Sequence, residues 1–211
     1  MNDQYVCVPL LSDEKFFYKI ENFIIDRESE YEKIKDKVIG LSAYLKRCAW
    51  NDDSNNEVRI YLIIDTEYDE IAAYFGLKAG MVAGSKTDMI SVEKQQQIFN
   101  EKGVKWLPAV LPGIEISHFA VNDNYRRLVS TDGNPVKGLG AYFYPEFIYP
   151  IIEDVAKKIG VNMMYLYAAG DEKLVAYYKK VFDFQSLEDE DYYVPLEPDY
   201  DGGCTFMYRL L

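Results

Sequence analysis

The chain is 211 residues long, 49% apolar and 15% aromatic with 19 tyrosines, which is material for a sizeable core and too apolar for disorder over most of its length. Its formal charge of −12, from 35 acidic and 23 scattered basic residues, argues against a surface for nucleic-acid backbones. Three well-separated cysteines and one histidine, His118, supply neither a zinc cluster nor a two-histidine relay; with no apolar run near ~18 residues and no signal-peptide pattern, a metal-free cytoplasmic protein without a membrane span is expected.

Residues 5–11 form a short apolar piece, and 16–25 alternate weakly, as an edge strand or docking segment would. From 28 to 50, Tyr31, Ile34, Val38, Leu41, Leu45 and Cys48 recur at spacings of three and four, the stripe of an amphipathic helix interrupted at Gly40. A polar loop at 51–56 follows. Residues 58–65 are nearly continuously apolar and rich in β-branched side chains, which suits a strand covered on both faces. After a turn at 66–69, residues 71–79 read as a second strand closing a hairpin. Residues 84–105, with Gln95-Gln96-Gln97 and Lys102-Gly103, read as a polar surface excursion with some helix.

The middle of the chain carries the densest signals. Residues 114–121 form a strand bracketed by Pro112-Gly113 and by the turn-forming Asn122-Asp123-Asn124. Lys137-Gly138-Leu139-Gly140 is a glycine turn that opens a helical pattern from about 141 to 159, with Phe143, Phe147, Ile148, Ile151, Ile152, Val155 and Ile159 on one face. Pro145 fits the first turns of that helix, whereas Pro150 predicts a kink. Backbone amides at the helix start would favour a phosphate group. A strand at 162–168, a cap at Asp171 and a helix at 174–182 follow, so that strand, helix and strand make a parallel βαβ unit. After an acidic run at 188–191 and a turn at 199–203, residues 204–211 form a last strand. With no repeat and no long linker, one mixed α/β domain over 1–211 is the economical reading.

Together these residues carry a family likeness. Leu41-Ser42-Ala43-Tyr44-Leu45-Lys46-Arg47, Ala73-Tyr74-Phe75-Gly76-Leu77-Lys78, Leu111-Pro112-Gly113-Ile114-Glu115-Ile116, Phe119-Ala120-Val121, Lys137-Gly138-Leu139-Gly140 and Tyr177-Tyr178-Lys179-Lys180 before Asp183-Phe184 occur in one order. From about Leu41 to Phe184 the chain resembles the GNAT superfamily of acyl-CoA-dependent N-acyltransferases, most closely its bacterial toxin-type members that modify aminoacyl-tRNA. The resemblance implies a GNAT-like α/β fold: a mixed, mostly antiparallel central sheet with a parallel βαβ unit that binds acetyl-CoA, and flanking helices. Three features depart from the family's pattern. Pro135 stands where the phosphate loop has Arg or Gln, about nine residues (126–134) are inserted before it, and Asp183-Phe184 lies one residue further from the tyrosine pair than is usual.

What the resemblance implies is direct transfer of an acetyl group from acetyl-CoA to a primary amine. Pantetheine would run along Phe119, Ala120 and Val121, and the diphosphate would lie over Val136, Lys137, Gly138, Leu139 and Gly140. The amine must lose a proton and the leaving thiolate must gain one. Glu115 is the candidate base, or else an edge-facing carboxylate satisfied by a nearby lysine or amide. Tyr178 is the candidate acid towards sulfur, with Tyr177 as the alternative. His118 reads as a packed, hydrogen-bonded residue. The aromatic cluster on the long helix reads as core or a homodimer face. The acceptor is expected to be a small-molecule or protein amine. Aminoacyl-tRNA remains open as an acceptor, and a non-catalytic acyl-CoA-binding or regulatory module is the competing class.

Overall fold

The computed structural model describes residues 4–26, 40–84, 110–169, 171–186, 193–195 and 204–211. The expected excursion between 85 and 105, the part of the helical stripe before Gly40, the acidic run and the turn at 199–203 lie outside them. The described chain clusters into two compact units, residues 1–78 with 115–158 and residues 79–114 with 159–211.

In the first unit the apolar run at 59–65 becomes β2 (Arg59–Asp65), which pairs antiparallel with β1 (Tyr5–Pro9) on one side and with the start of β3 (Glu70–Gly84) on the other. The hairpin turn is built by Asp65, whose carboxylate accepts the amides of Glu67 and Tyr68 at 2.8 and 3.1 Å, while Asp69 takes a left-handed φ of 52°. One face of this sheet is sealed by Leu10, Phe16, Ile20, Phe23 and Leu45, none more than 4% exposed, against Ile60, Leu62 and Tyr74. These residues come from α1 (Phe16–Lys19), its flanking 3-10 turns and α2 (Leu41–Arg47). The weakly alternating segment at 16–25 is therefore helical over residues 16–22, with Phe16, Ile20 and Phe23 repeating at helical spacing. α3 (Ala49–Ser54) continues past Trp50 into the segment read as a loop, and the buried Asp53 explains why. Its carboxylate accepts the Ile60 amide at 3.2 Å and Arg59 Nη1 at 2.5 Å, tying the polar helix to β2.

β4 (Val110–Val121) is longer than expected and contains Pro112 and Gly113 rather than starting after them. It neighbours β3 and β5 (Met163–Ala168), and the sheet is antiparallel apart from one parallel pair, as the sequence led us to expect. Asn122 ends the strand. Buried at 1% exposure, it donates Nδ2 to Ile71 O at 2.8 Å and accepts the amides of Ile24 and Asn124, so it caps an unanticipated helix, α4 (Asp123–Leu128). Tyr125 on α4 donates to Asp65 Oδ2 at 2.5 Å and bonds Tyr5 Oη at 2.8 Å.

The long helix begins earlier than expected with α5 (Leu139–Phe143), passes through a π-helical turn (Tyr144–Ile148) and continues as α6 (Tyr149–Ile159). Pro150 cannot donate to Glu146 O and its ring crowds that carbonyl. The wider π turn, closed by Tyr149 N–H on Tyr144 O, precedes the proline and absorbs the misfit, so the helix passes through Pro150.

In the second unit β5 pairs antiparallel with β8 (Thr205–Leu210), and β8 with the short β6 (Gln185–Ser186). β7 (Tyr193–Pro195) pairs with the far end of β3. Val82, Leu111, Met163, Tyr165, Phe206 and Tyr208 form its core. Gly80 is required there by close approach, since a Cβ would collide with the Tyr165 hydroxyl. α7 (Glu172–Phe182) is capped by Asp171, which accepts the Lys173 amide at 2.8 Å. Among the described residues no helix is long and apolar enough to cross a membrane, and no group of side chains could hold a metal ion.

Candidate active site

The second half of β4 places Glu115, Ser117 and His118 in the first unit. Glu115 is 4% exposed and pairs with Lys78 on β3, Nζ to Oε1 at 3.0 Å. Ser117 lies against Gly76, where an added Cβ would come within 2.8 Å of its Oγ. His118 stacks on Tyr44 of α2 at 3.7 Å between ring centroids and 11° between planes, and its Nδ1 is 2.9 Å from Ser117 Oγ. Ser117 and His118 are consecutive, yet one faces Gly76 and the other lies 6.4 Å from the Tyr74 ring two residues earlier on β3. Strict two-residue alternation does not allow that, so the strand is irregular at this point and brings both side chains to one face. Beyond it, Asn122 N–H donates to Ala72 O on β3 at 2.9 Å, so the backbone N–H groups of Phe119 and Val121 turn to the opposite edge.

His118 is held neutral. Burial, and then the Lys78 cation, lower its pKa from the ordinary 6.5 to about 3. In the unfolded chain the imidazole binds a proton near pH 6.5, whereas the folded protein resists doing so until about pH 3. The unfolded state thus holds more protons in that window, and stability rises with pH across it. Replacing His118 with Gln is expected to flatten this slope in urea unfolding followed at pH 4, 5, 6 and 7. A slope equal to wild type would show that the imidazole titrates normally.

The glycine turn lies further along the same unit. Gly138 caps α5 in a left-handed conformation, φ 82°, and a Cβ built on it meets nothing within 4 Å. The first intrahelical bond is Tyr142 N–H to Gly138 O at 3.1 Å, so the amides of Leu139, Gly140 and Ala141 precede the helical ladder. The Val136 amide, in contrast, is committed to Arg126 O at 3.1 Å. The turn therefore offers backbone amides from residue 137 onward, and not that of Val136.

Tyr177 and Tyr178 belong to the second unit, on α7. The Tyr178 ring sits 5.5 Å from Phe182, 5.9 Å from Phe184 and 6.3 Å from Tyr177. Burial, and then Tyr177, push its pKa upward, so the phenol keeps its proton at neutral pH. The helix end fixes this geometry: Asp183 turns left-handed at φ 59°, and both its amide and that of Phe184 bond Tyr178 O. That turn accommodates the extra residue between the tyrosine pair and Phe184. Three residues stand out only in three dimensions: Lys78, Tyr44 and Ser117 around the β4 irregularity.

No protein-family model and no curated protein sequence matches the chain. Solved structures do. A tyrosine-to-phenylalanine variant of KacT superposes with a TM-score of 0.62 at 14% identity over 98% of this chain and 95% of that one. AtaT complexed with acetyl-methionyl-tRNAfMet gives 0.61 at 14% identity, covering 96% and 93%. A tyrosine-to-phenylalanine variant of the AtaT toxin, bound to the C-terminus of the antitoxin AtaR and to acetyl-CoA, gives 0.60 at 13% identity, covering 99% and 94%. The chain thus shares the fold of these structures, a mixed, mostly antiparallel sheet with flanking helices as expected from the sequence.

Proposed function

We propose that the protein is an acetyl-CoA-dependent N-acetyltransferase that passes the acetyl group directly to a primary amine. The observation that carries this reading is the open, left-handed Gly138 turn at the head of the long helix, on a fold shared with a toxin crystallised with acetyl-CoA. The turn offers backbone amides with no side chain in the way, which is the requirement for a diphosphate. The N–H groups of Phe119 and Val121, turned away from β3, suit an extended pantetheine arm.

In the reaction the amine nitrogen bonds to the thioester carbonyl carbon and the carbon–sulfur bond breaks. The amine proton leaves to Glu115, directly or through water, and Tyr178 gives its proton to the departing thiolate, with Tyr177 as the alternative donor. Glu115 reaches the amine only by sharing its ion pair with Lys78, so the two residues act as one unit. The acceptor is an amine of a small molecule or protein. A second reading, an aminoacyl-tRNA amine, is favoured by the AtaT complex with acetyl-methionyl-tRNAfMet and opposed by the charge of −12.

The direct test is calorimetric titration of the purified protein with acetyl-CoA, together with mass spectrometry of any small molecule that co-purifies. Saturable binding of acetyl-CoA, with CoA carried through purification, is the expected result. No heat and no binding at millimolar ligand would end the acyltransferase reading.

A further inference from the structure

The glycine turn lies between α4 and α5, and a side chain near the start of the sequence meets both helices. The ring of Tyr5 on β1 stands edge-on to Tyr125 of α4 at 6.4 Å between centroids, and lies 5.8 Å from Tyr142 and 5.1 Å from Phe143 of α5. Its hydroxyl is 2.8 Å from Tyr125 Oη. Tyr125 gives its one proton to Asp65 Oδ2, so Tyr5 is the donor in that bond. Tyr142 is also the residue whose amide makes the first helical bond to Gly138 O, at 3.1 Å. The ring that meets Tyr5 and the amide that fixes the glycine turn therefore belong to one residue.

Tyr5 is itself held from the other side. It stands opposite Asp65 in the β1–β2 register; its neighbour Gln4 donates Nε2 to Asp65 Oδ2 at 3.0 Å, and the Gln4 carbonyl accepts the Thr66 amide and hydroxyl at 2.8 and 3.0 Å. The glycine turn has no comparable support of its own. Lys137 and Gly138 are exposed, Leu139 and Gly140 are half-buried, and two glycines make the segment costly in backbone entropy to order. An anion site gains affinity when that ordering precedes the ligand. Resting on the acetyl-CoA reading above, we propose that Tyr5 is a positioning residue for the diphosphate: it braces α4 and α5 against β1 and so holds the amides of residues 137–140 ready for the anion. The N-terminal strand then takes part in cofactor binding without touching the cofactor.

The test is calorimetry with acetyl-CoA and with acetyl-pantetheine, which keeps the thioester and lacks the diphosphate. Tyr5→Ala is expected to weaken acetyl-CoA about tenfold and to leave acetyl-pantetheine binding at millimolar ligand unchanged. Tyr5→Phe keeps the ring against α5, and Tyr125 still donates to Asp65, so acetyl-CoA affinity should return to within about threefold of wild type. Equal acetyl-CoA affinity in wild type and Tyr5→Ala would overturn the role of Tyr5. A parallel loss for both ligands would do the same, since a general loosening of the fold gives that result. Tyr142→Ala removes the other side of the contact from a half-buried position, is expected to show the same selective loss, and decides the matter where Tyr5→Ala does not fold. In the double variant the second substitution should add little, because both remove one contact; fully additive losses would overturn the bracing. If wild type itself binds no acetyl-CoA, it is the acyltransferase reading that fails; if wild type binds and neither alanine variant discriminates between the ligands, only this inference does.

Discussion

Replacing Tyr178 with Phe is expected to lower turnover by roughly a hundredfold or more, the usual scale for loss of a general acid, while acetyl-CoA affinity stays at the wild-type level. The substitution isolates one proton. Phe keeps the ring that packs at 5.5 Å from Phe182 and 5.9 Å from Phe184, and the backbone carbonyl of residue 178 still receives the amides of Asp183 and Phe184. Stability should therefore be little changed, which thermal unfolding checks. Burial raises the Tyr178 pKa, so at neutral pH wild type always holds the proton that the thiolate needs. Tyr177→Phe is the internal comparison, because Tyr177 shares the Phe182 contact at 5.2 Å. If Tyr178→Phe turns over normally and Tyr177→Phe does not, the acid is Tyr177. If neither variant slows the reaction, solvent protonates the thiolate.

How much of this was open to a reader of the sequence follows from what kind of signal each feature rests on. The β2–β3 hairpin and the buried face of the long helix depend on periodicity along one segment, and the sequence displays both. Features set by distant partners do not show. Asn122-Asp123-Asn124 has the composition of a turn, yet Asn122 caps a helix because its side chain is also bonded to Ile71 and Ile24, 51 and 98 residues away. Pro112-Gly113 looks like a strand boundary, but Gly113 lies inside β4, where a Cβ would press on the Tyr165 ring at 3.0 Å. Pro150 announces a disturbed helix, and the π turn before it is the form the disturbance takes. The candidate site divides in the same way. The glycine turn and the tyrosine pair are local motifs, and both are legible. The Glu115 ion pair depends on the register between β3 and β4, and the approach of Ser117 to His118 depends on an irregularity in one strand.

Gly138→Asp carries the largest expected effect on binding, a loss of acetyl-CoA affinity of about a hundredfold or more in a protein that still folds. Steric damage within the chain does not account for such a loss, since a Cβ at this position meets nothing within 4 Å. The backbone contributes little more. At φ 82° an L-residue is strained by ~1–2 kcal/mol, and Asp is among the residues that tolerate the left-handed region best. The remaining consequence is electrostatic. A carboxylate placed on the turn stands next to the charge that the diphosphate would bring, and one like-charge contact near a protein surface, discounted for solvent, costs about 2–3 kcal/mol, roughly a hundredfold in affinity. Gly138→Asn separates the two causes, because it carries the same backbone strain and a similar side-chain volume without the charge. Asn should bind acetyl-CoA within a few-fold of wild type, and added salt should partly rescue Asp but not change Asn. Full affinity in the Asp variant would mean that no anion is held at this turn. An equal loss in both variants would mean that the ligand needs the bare backbone itself, with its phosphates seated against the amides of residues 137–140 closely enough that any side chain at 138 keeps them out.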